Sequence, residues 1–319
     1  MKQVTGPRSS HRHESVLLDG AVDALVHTPD GIYLDGTFGR GGHARAILEH
    51  LSDRGRLIAI DRDPEALAAA GEIDDPRFNI RRATFAELGD IAREFDVHGR
   101  LAGVLLDVGV SSPQLDDPGR GFSFMRDGPL DMRMDPDSGI SAAQWLSETS
   151  EREMADIFKR LGEERYARRL ARAVVARRSE APITRTHELA EILKTAHPAW
   201  EKGRHPATRA FQAIRIHLND ELGQLERALE SAHDALGVDG RLVVISFHSL
   251  EDRMVKRFIR DRSRGDRHLP RHMPLREDQI NRTMAAVGRA IRPDDRETDH
   301  NVRARSAVMR IARRLGQES

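Results

Sequence analysis

Three short apolar runs in the first third of the chain each end on an aspartate. Ile32-Tyr33-Leu34 leads into Asp35, Arg56 to Ile60 into Asp61, and Leu101 to Leu106 into Asp107. Helical patterns separate them. After Asp35 come Gly36-Thr37-Phe38-Gly39-Arg40-Gly41-Gly42-His43, then Ala44, Ile47, Leu48 and Leu51 at helical spacing. After Asp61, Asp63 supplies an N-cap and Pro64 the first helical position. Phe78 to Ile80 reads as a short third strand, which makes the Leu101 run the fourth. Apolar strands alternating with helices predict an α/β fold with a doubly wound parallel sheet. Such sheets bind ligands at the carboxyl ends of their strands, so three carboxylates are expected along one edge.

The next strand, Arg241 to Ile245, ends in Ser246-Phe247-His248. The gap after Asp107 is far longer than one crossover needs, so it holds an insertion. Its start, 113–140, is rich in Gly, Pro and Asp and reads as an ordered loop. Ser150 with Glu153 suggests a capping box before Met154, Ile157, Phe158 and Leu161. Gly162 breaks that helix, and Tyr166, Leu170 and Val174 continue the pattern. Residues 186–197 read as another helix, and Pro206 to Leu236 as one long helix with Phe211, Ile214, Leu218, Leu225 and Leu229 in its stripe. Val302 to Ile311 reads as a closing strand. The expected organisation is a tail at 1–12, a discontinuous core of 13–112 and 206–319, and an inserted, mainly helical domain at 113–205.

Among the 319 residues there is no cysteine. That removes disulfides, thiolate metal sites and cysteine nucleophiles. The first residues have no apolar leader segment, and no apolar run approaches the ~18 residues of a membrane span. A cytoplasmic protein away from membranes is expected.

The glycine loop discriminates between nucleotide ligands. A dinucleotide site wants G-x-G-x-x-G. Here the spacing from Gly36 is G-x-x-G-x-G-G behind Asp35, which is similar to the loop of S-adenosylmethionine-dependent methyltransferases. Asp61, ending the next strand, then suits the ribose hydroxyls.

The longest motif leaves the fourth strand. It runs Asp107-Val108-Gly109-Val110-Ser111-Ser112-Pro113-Gln114-Leu115-Asp116, then Arg120-Gly121-Phe122-Ser123-Phe124-Met125-Arg126-Asp127-Gly128-Pro129-Leu130-Asp131-Met132-Arg133-Met134. This segment resembles the bacterial small-subunit ribosomal RNA cytosine-N4 methyltransferases of the MraW/RsmH type. His13 to Leu18, Asp35 to His43, Ala59 to Pro64, Gly162 to Arg165, Arg209 to Ile216 and Ser246 to Asp252 match as well, so the resemblance covers about 13–312.

The resemblance implies a Rossmann-like methyltransferase sheet and S-adenosyl-L-methionine as cofactor. Gly41, Gly42 and His43 would contact it through the loop, Asp61 would hold the ribose, Phe85 would pack beside the adenine, and Asp107 would face the methionine ammonium. Gln114 completes the set. Ser111 and Ser112 are the candidate catalytic residues, lying where amine-methylating enzymes hold acceptors for the target amine. The implied substrate is a cytidine N4 in the decoding region of small-subunit RNA, within a largely assembled subunit. A homodimer stays open, and no metal is expected.

Net charge is zero, yet only five of the 51 basic residues are Lys and 46 are Arg. Arginine forks suit phosphate. Local excesses at 160–178, 253–272 and 303–314 read as RNA-facing surfaces. Phe122, Phe124, Trp145 and Trp200 are candidates to stack on a base pulled from its helix. Two rivals remain. A metal-dependent hydrolase would draw on His11, His13, His268, His272 or a Ser246, His248, Asp252 set, and a non-catalytic RNA-binding module would keep only the fold. Within the enzyme class, a DNA amino-methyltransferase is the alternative.

Overall fold

The computed structural model describes residues 15–199, 203, 205–265 and 281–316. The tail, Trp200, and His11, His13, His268 and His272 lie outside them.

The core begins α1 (Leu18–Leu25), β1 (Ile32–Asp35), α2 (Gly42–His50), β2 (Arg56–Asp61), α3 (Pro64–Ala70), β3 (Phe78–Arg82), α4 (Leu88–Glu94) and β4 (Leu101–Asp107). A short α5 (Ser112–Asp116) opens the loop that leads away. Then follow α6 (Ala142–Glu148), α7 (Glu151–Leu161), α8 (Ala167–Glu180), α9 (Thr186–Ala196), α10 (Thr208–Leu218) and α11 (Glu221–Ala235). The chain returns in β5 (Leu236–Ser246) and continues as α12 (Ser249–Arg264), β6 (Met284–Ala286), α13 (Asp295–His300) and β7 (Val308–Arg314).

These strands form one sheet in the order β3-β2-β1-β4-β5-β7-β6. β1 to β5 pair in parallel, while β7 and β6 add antiparallel to the β5 edge. Alternation along each strand sorts side chains to two faces. Leu34, Ile58, Ile60, Val104, Leu106 and Val244 pack with α4, α11 and α12. Tyr33, Leu57, Ala59, Leu105, Val243 and Ile245 pack with α1 and α2. A third core belongs to the insertion, where Trp145, Met154, Phe158, Leu170, Val174 and Leu189 are buried together with Phe211 and Ile214 of α10. That helix, at the chain's return, thus packs with the insertion.

Several local readings hold. Asp63 accepts the backbone N–H of Glu65 and Pro64 sits in the first turn of α3. Of the capping box read at Ser150 and Glu153, the N-cap half is present: Ser150 accepts from the Glu153 N–H. The 113–140 loop is tied down, with Leu130 donating its N–H to the Thr184 carbonyl at 2.9 Å and Gly128 to the Thr186 hydroxyl at 3.0 Å.

Others are corrected. The stretch 206–236 is two helices, not one, because Asp220 adopts a left-handed conformation at φ 46°. Asn219 beside it accepts the Met134 N–H at 2.8 Å and donates to the Met132 carbonyl at 2.8 Å, so the break locks onto the loop after β4. β5 starts at Leu236, five residues earlier than read. The closing segment is a 3₁₀ turn at Val302–Ser306 and only then β7. Phe122 and Trp145 are interior residues of the third core, with Trp145 tilted against His217, so neither presents a free face to a base. Phe124 is packed between His205 and Phe211.

Candidate active site

The ends of β1, β2, β4 and β5 open into a cavity of about 1010 Å³. Gly42, His43, Asp61, Phe85, Asp107, Ser111, Ser112 and Gln114 all line it. Gly41 sits just behind. It holds φ 73° as the residue before α2, and a Cβ there would come within 2.6 Å of the Phe38 ring. Both facts reserve the position for glycine. At Gly42 a Cβ would fall 2.0 Å from the Ser15 hydroxyl, so Ser15 packs directly on the backbone of the first turn of α2 at the cavity wall.

Asp61 binds the glycine loop to β2. Its Oδ2 accepts the Gly39 N–H at 2.8 Å and its Oδ1 the Asp63 N–H at 2.9 Å. Burial raises its pKa against those two hydrogen bonds. Each oxygen keeps a second lone pair for a ligand hydroxyl.

A second group lies at the ends of β1 and β4. Burial pushes Asp35 up to about 7, opposed by the Thr37 N–H that donates to its Oδ1 at 3.0 Å. Burial also raises Asp107 well above the usual carboxylate range, helped by the charges of Asp35 and Glu251. Oδ2 of Asp35 and Oδ1 of Asp107 are buried with no hydrogen-bond partner. His43 approaches Asp107 at 3.7 Å, but burial lowers its pKa to about 4, so it is a neutral neighbour and not a counter-ion. Two buried carboxyls with orphaned oxygens call for a cationic donor. The ammonium of S-adenosylmethionine is such a donor, and the residues present fit that cofactor.

The loop after β4 carries the serines. Ser112 is buried and Ser111 partly so. Gln114 spans two segments, accepting the Ser111 N–H at 3.0 Å and donating to Asp63 Oδ2 at 2.7 Å. Arg120 donates to the same Asp63 oxygen at 2.9 Å and to the Met134 carbonyl at 2.9 Å. The amide of Gln114 is therefore engaged at both ends, and its visible work is holding the serine loop against the start of α3.

Sequence reasoning missed a further cluster. Arg215 clamps Glu221 through two hydrogen bonds of 2.8 Å. Glu251 accepts the N–H groups of Phe247 and His248 at 2.8 and 3.2 Å, and its other oxygen lies 3.0 Å from His248 Nε2. Burial alone would raise Glu251, but His248 and Arg215 hold it below its ordinary value. Glu221, His248 and Glu251 bring ligand-type atoms within 4.8 Å of one another. Glu221, however, is already satisfied by a guanidinium. Arg215 and His248 line the same cavity as the serines. No spacing signal links them, because they come from α10, α11 and the start of α12. The Ser246, His248, Asp252 set does not assemble as a triad: Asp252 is chelated by Arg310 at 2.7 and 3.1 Å, and the Ser246 hydroxyl has no partner.

A doubly wound sheet with a glycine loop after β1, an acid ending β2 and a helical insertion defines a methyltransferase-type domain. The MraW methylase family matches residues 10–315, and the chain belongs to that family. It is an S-adenosylmethionine-dependent methyltransferase with a Rossmann-like sheet. Ribosomal RNA small subunit methyltransferase H of Chromohalobacter salexigens is 68% identical over 308 residues, covering 97% of this chain and 93% of the relative. Among solved structures, an rRNA methylase from Streptococcus thermophilus is 12% identical with a TM-score of 0.40, covering 93% of each chain. NSun6 from Pyrococcus horikoshii is 13% identical with a TM-score of 0.42, covering 95% of this chain and 53% of its own. No described helix is long and apolar enough to cross a membrane.

Proposed function

We propose that the protein methylates small-subunit ribosomal RNA on the exocyclic N4 of a cytidine in the decoding region, within a largely assembled subunit. The observation that carries the reading is the cavity that Asp107, at the end of β4 with a buried, unpartnered Oδ1, lines together with the serine loop. The 68% identity to a named small-subunit RNA methyltransferase supports the substrate class. The missing cysteine argues against carbon 5 as the acceptor.

S-adenosylmethionine supplies an electrophilic methyl group. Asp107 would offer its free oxygen to the cofactor's amino group, with the buried Asp35 adding negative charge behind it, Asp61 would hold the ribose and Phe85 would pack beside the adenine. The amine of cytosine is a weak nucleophile because its lone pair is delocalised into the ring. Ser111 and Ser112 would accept hydrogen bonds from its N–H groups, which turns the lone pair toward the methyl and holds the amine in line; the N–C bond forms as the S–C bond breaks, and the surplus amine proton passes to solvent. Much of the rate then comes from orientation. The insertion at 113–205 contributes RNA contacts. Arg168 and Arg169 are exposed on α8 with no carboxylate partner among the described residues, and Arg172 has only Glu151 at 3.6 Å. Cytoplasmic action follows from this substrate.

The test is methylation of small ribosomal subunits by the purified protein, followed by nucleoside digestion and chromatography against N4-methylcytidine and 5-methylcytidine. N4-methylcytidine at one decoding-region position is expected. A 5-methyl product, or methylation of DNA only, overturns the reading.

A further inference from the structure

A second cavity of about 280 Å³ lies between α12 and the β6–β7 edge, and it shares no lining residue with the active site. Its floor is apolar, made by Ile259, Ile311, Ala286 and Val287. Its rim is cationic, carrying Lys256, Arg260, Arg264, Arg289 and Arg310, and no carboxylate among the described residues lines it.

Two of the five cations are committed. Arg310 chelates Asp252, and Arg260 donates to Asp261 at 2.8 and 3.0 Å. Lys256, Arg264 and Arg289 are exposed and have no carboxylate partner among the described residues. Elsewhere the surface pairs many of its arginines, as in Arg82 with Asp135 and Asp137, or Arg253 with Glu163. Ser263 adds a hydroxyl at the same rim whose oxygen is buried without a hydrogen-bond partner.

Three uncompensated cations around an apolar floor match a nucleoside phosphate: the rim meets the phosphate and the floor meets the base. The fold sets where such a nucleotide would lie. α12 starts beside His248 in the active-site wall, so Lys256 and Arg264 lie ~12 and ~24 Å from it along the helix axis.

We propose that this groove is a second RNA contact, seating one unpaired nucleotide of the substrate strand outside the active site, with its phosphate on Lys256, Arg264 and Arg289. The inference rests on the RNA substrate proposed above. It assigns α12 a spacing function, because one helix joins the wall of the methyl-transfer cavity to the groove. Direct phosphate contacts of this kind hold register and carry no sequence information.

The experiment uses the full chain with Lys256→Gln, Arg264→Gln and Arg289→Gln combined. The probe is a single-stranded RNA oligonucleotide containing 4-thiouridine, and methylation of small subunits is followed separately. Binding is expected to fall roughly tenfold or more at low salt, with the log–log salt slope flattened by up to about 0.7 for each lost phosphate contact. Cross-links in the parent protein should map to 253–264 or 281–292 and vanish in the variant. S-adenosylmethionine affinity and turnover at saturating subunits should stay at parent values while KM rises. Parent affinity, slope and cross-links in the variant would overturn the groove. Binding of cytidine monophosphate that depends on the three cations, with RNA binding unchanged, would show a free-nucleotide site and overturn the RNA assignment. Failure of the function proposed above shows up separately, as absence of methylcytidine made by the parent protein.

Discussion

Gly39 donates its backbone N–H to Asp61 Oδ2 at 2.8 Å, which makes the glycine loop after β1 and the last carboxylate of β2 a single unit. The other oxygen of Asp61 takes the Asp63 N–H. Removing this side chain therefore does two things: it deletes the proposed ribose acceptor and frees the loop.

Asp61→Ala should weaken S-adenosylmethionine binding by one to two orders of magnitude, since hydrogen bonds to charged groups are worth roughly 1.5–3 kcal/mol each. Asp61→Asn should be nearly as damaging, because its NH₂ must face the N–H of Gly39 or of Asp63. Isothermal titration checks both. An unchanged dissociation constant in folded Asp61→Ala would remove Asp61 from the site.

Affinity for the cofactor should depend on pH through Asp35 and Asp107. A cation needs them ionised, and Asp35 titrates at about 7 in the free protein. Binding should tighten as pH rises from 6 to about 7.5, above which the cofactor's own α-amino group loses its proton, and Asp35→Asn or Asp107→Asn should flatten that trend. Stability of the free protein runs the other way. Because Asp35 is raised from 3.8 to about 7, its contribution is full below 3.8 and is lost as pH climbs toward 7. His43 is lowered from 6.5 to about 4, so its contribution is full above 6.5 and is lost as pH falls toward 4. Thermal melts with and without cofactor at pH 6, 7 and 8 test the pair. A cofactor-induced shift that is constant across this range would mean that the carboxyls do not meet the ammonium.

Single Ser111→Ala and Ser112→Ala changes should lower turnover more than they raise KM, the signature of an interaction made mainly in the transition state. The loss could reach ~10²-fold, by analogy with removal of one oxyanion-hole donor. Full activity in both variants would end the role given to the serines and leave the product assignment intact.

Neutralising Arg168, Arg169 and Arg172 together should reduce RNA binding and flatten its salt dependence without altering cofactor affinity. Arg160, Arg177 and Arg178 of the same sequence cluster serve as controls. They are tied to Asp156, Glu188 and the Leu146 carbonyl, and changing them should cost stability first. An RNA salt slope equal to the parent's in the triple variant would reduce the α8 face to solvated charge.

The strands and their terminal aspartates were legible because each apolar run stops at its acid and a capping pair follows Asp61. The break at Asn219-Asp220 was not, since the apolar stripe from Phe211 to Leu229 runs across it and one left-handed residue leaves the period almost intact. Arg215 and His248 were invisible as partners in the site wall because tertiary folding alone brings α10 and the β5–α12 junction together. Two of the aromatic candidates failed for a packing reason: a chain with only 4% aromatics uses Phe122 and Trp145 to fill the insertion's core. The arginine cluster at 160–178 looked uniform in sequence, whereas the fold divides it between ion pairs and open charge.

β4 and β5 are hydrogen-bonded neighbours at the centre of the sheet, yet the whole insertion lies between them in the chain. During synthesis, β4 therefore emerges with one open edge and waits for about 130 residues before its partner exists, roughly 7 to 26 s at typical elongation rates. For that interval the nascent half-sheet presents an unpaired, apolar edge of the kind that pairs promiscuously. The insertion, which has a core of its own, can fold meanwhile and stand between that edge and other chains. Shortening it would then show first as insoluble protein, before any defect in catalysis could be measured.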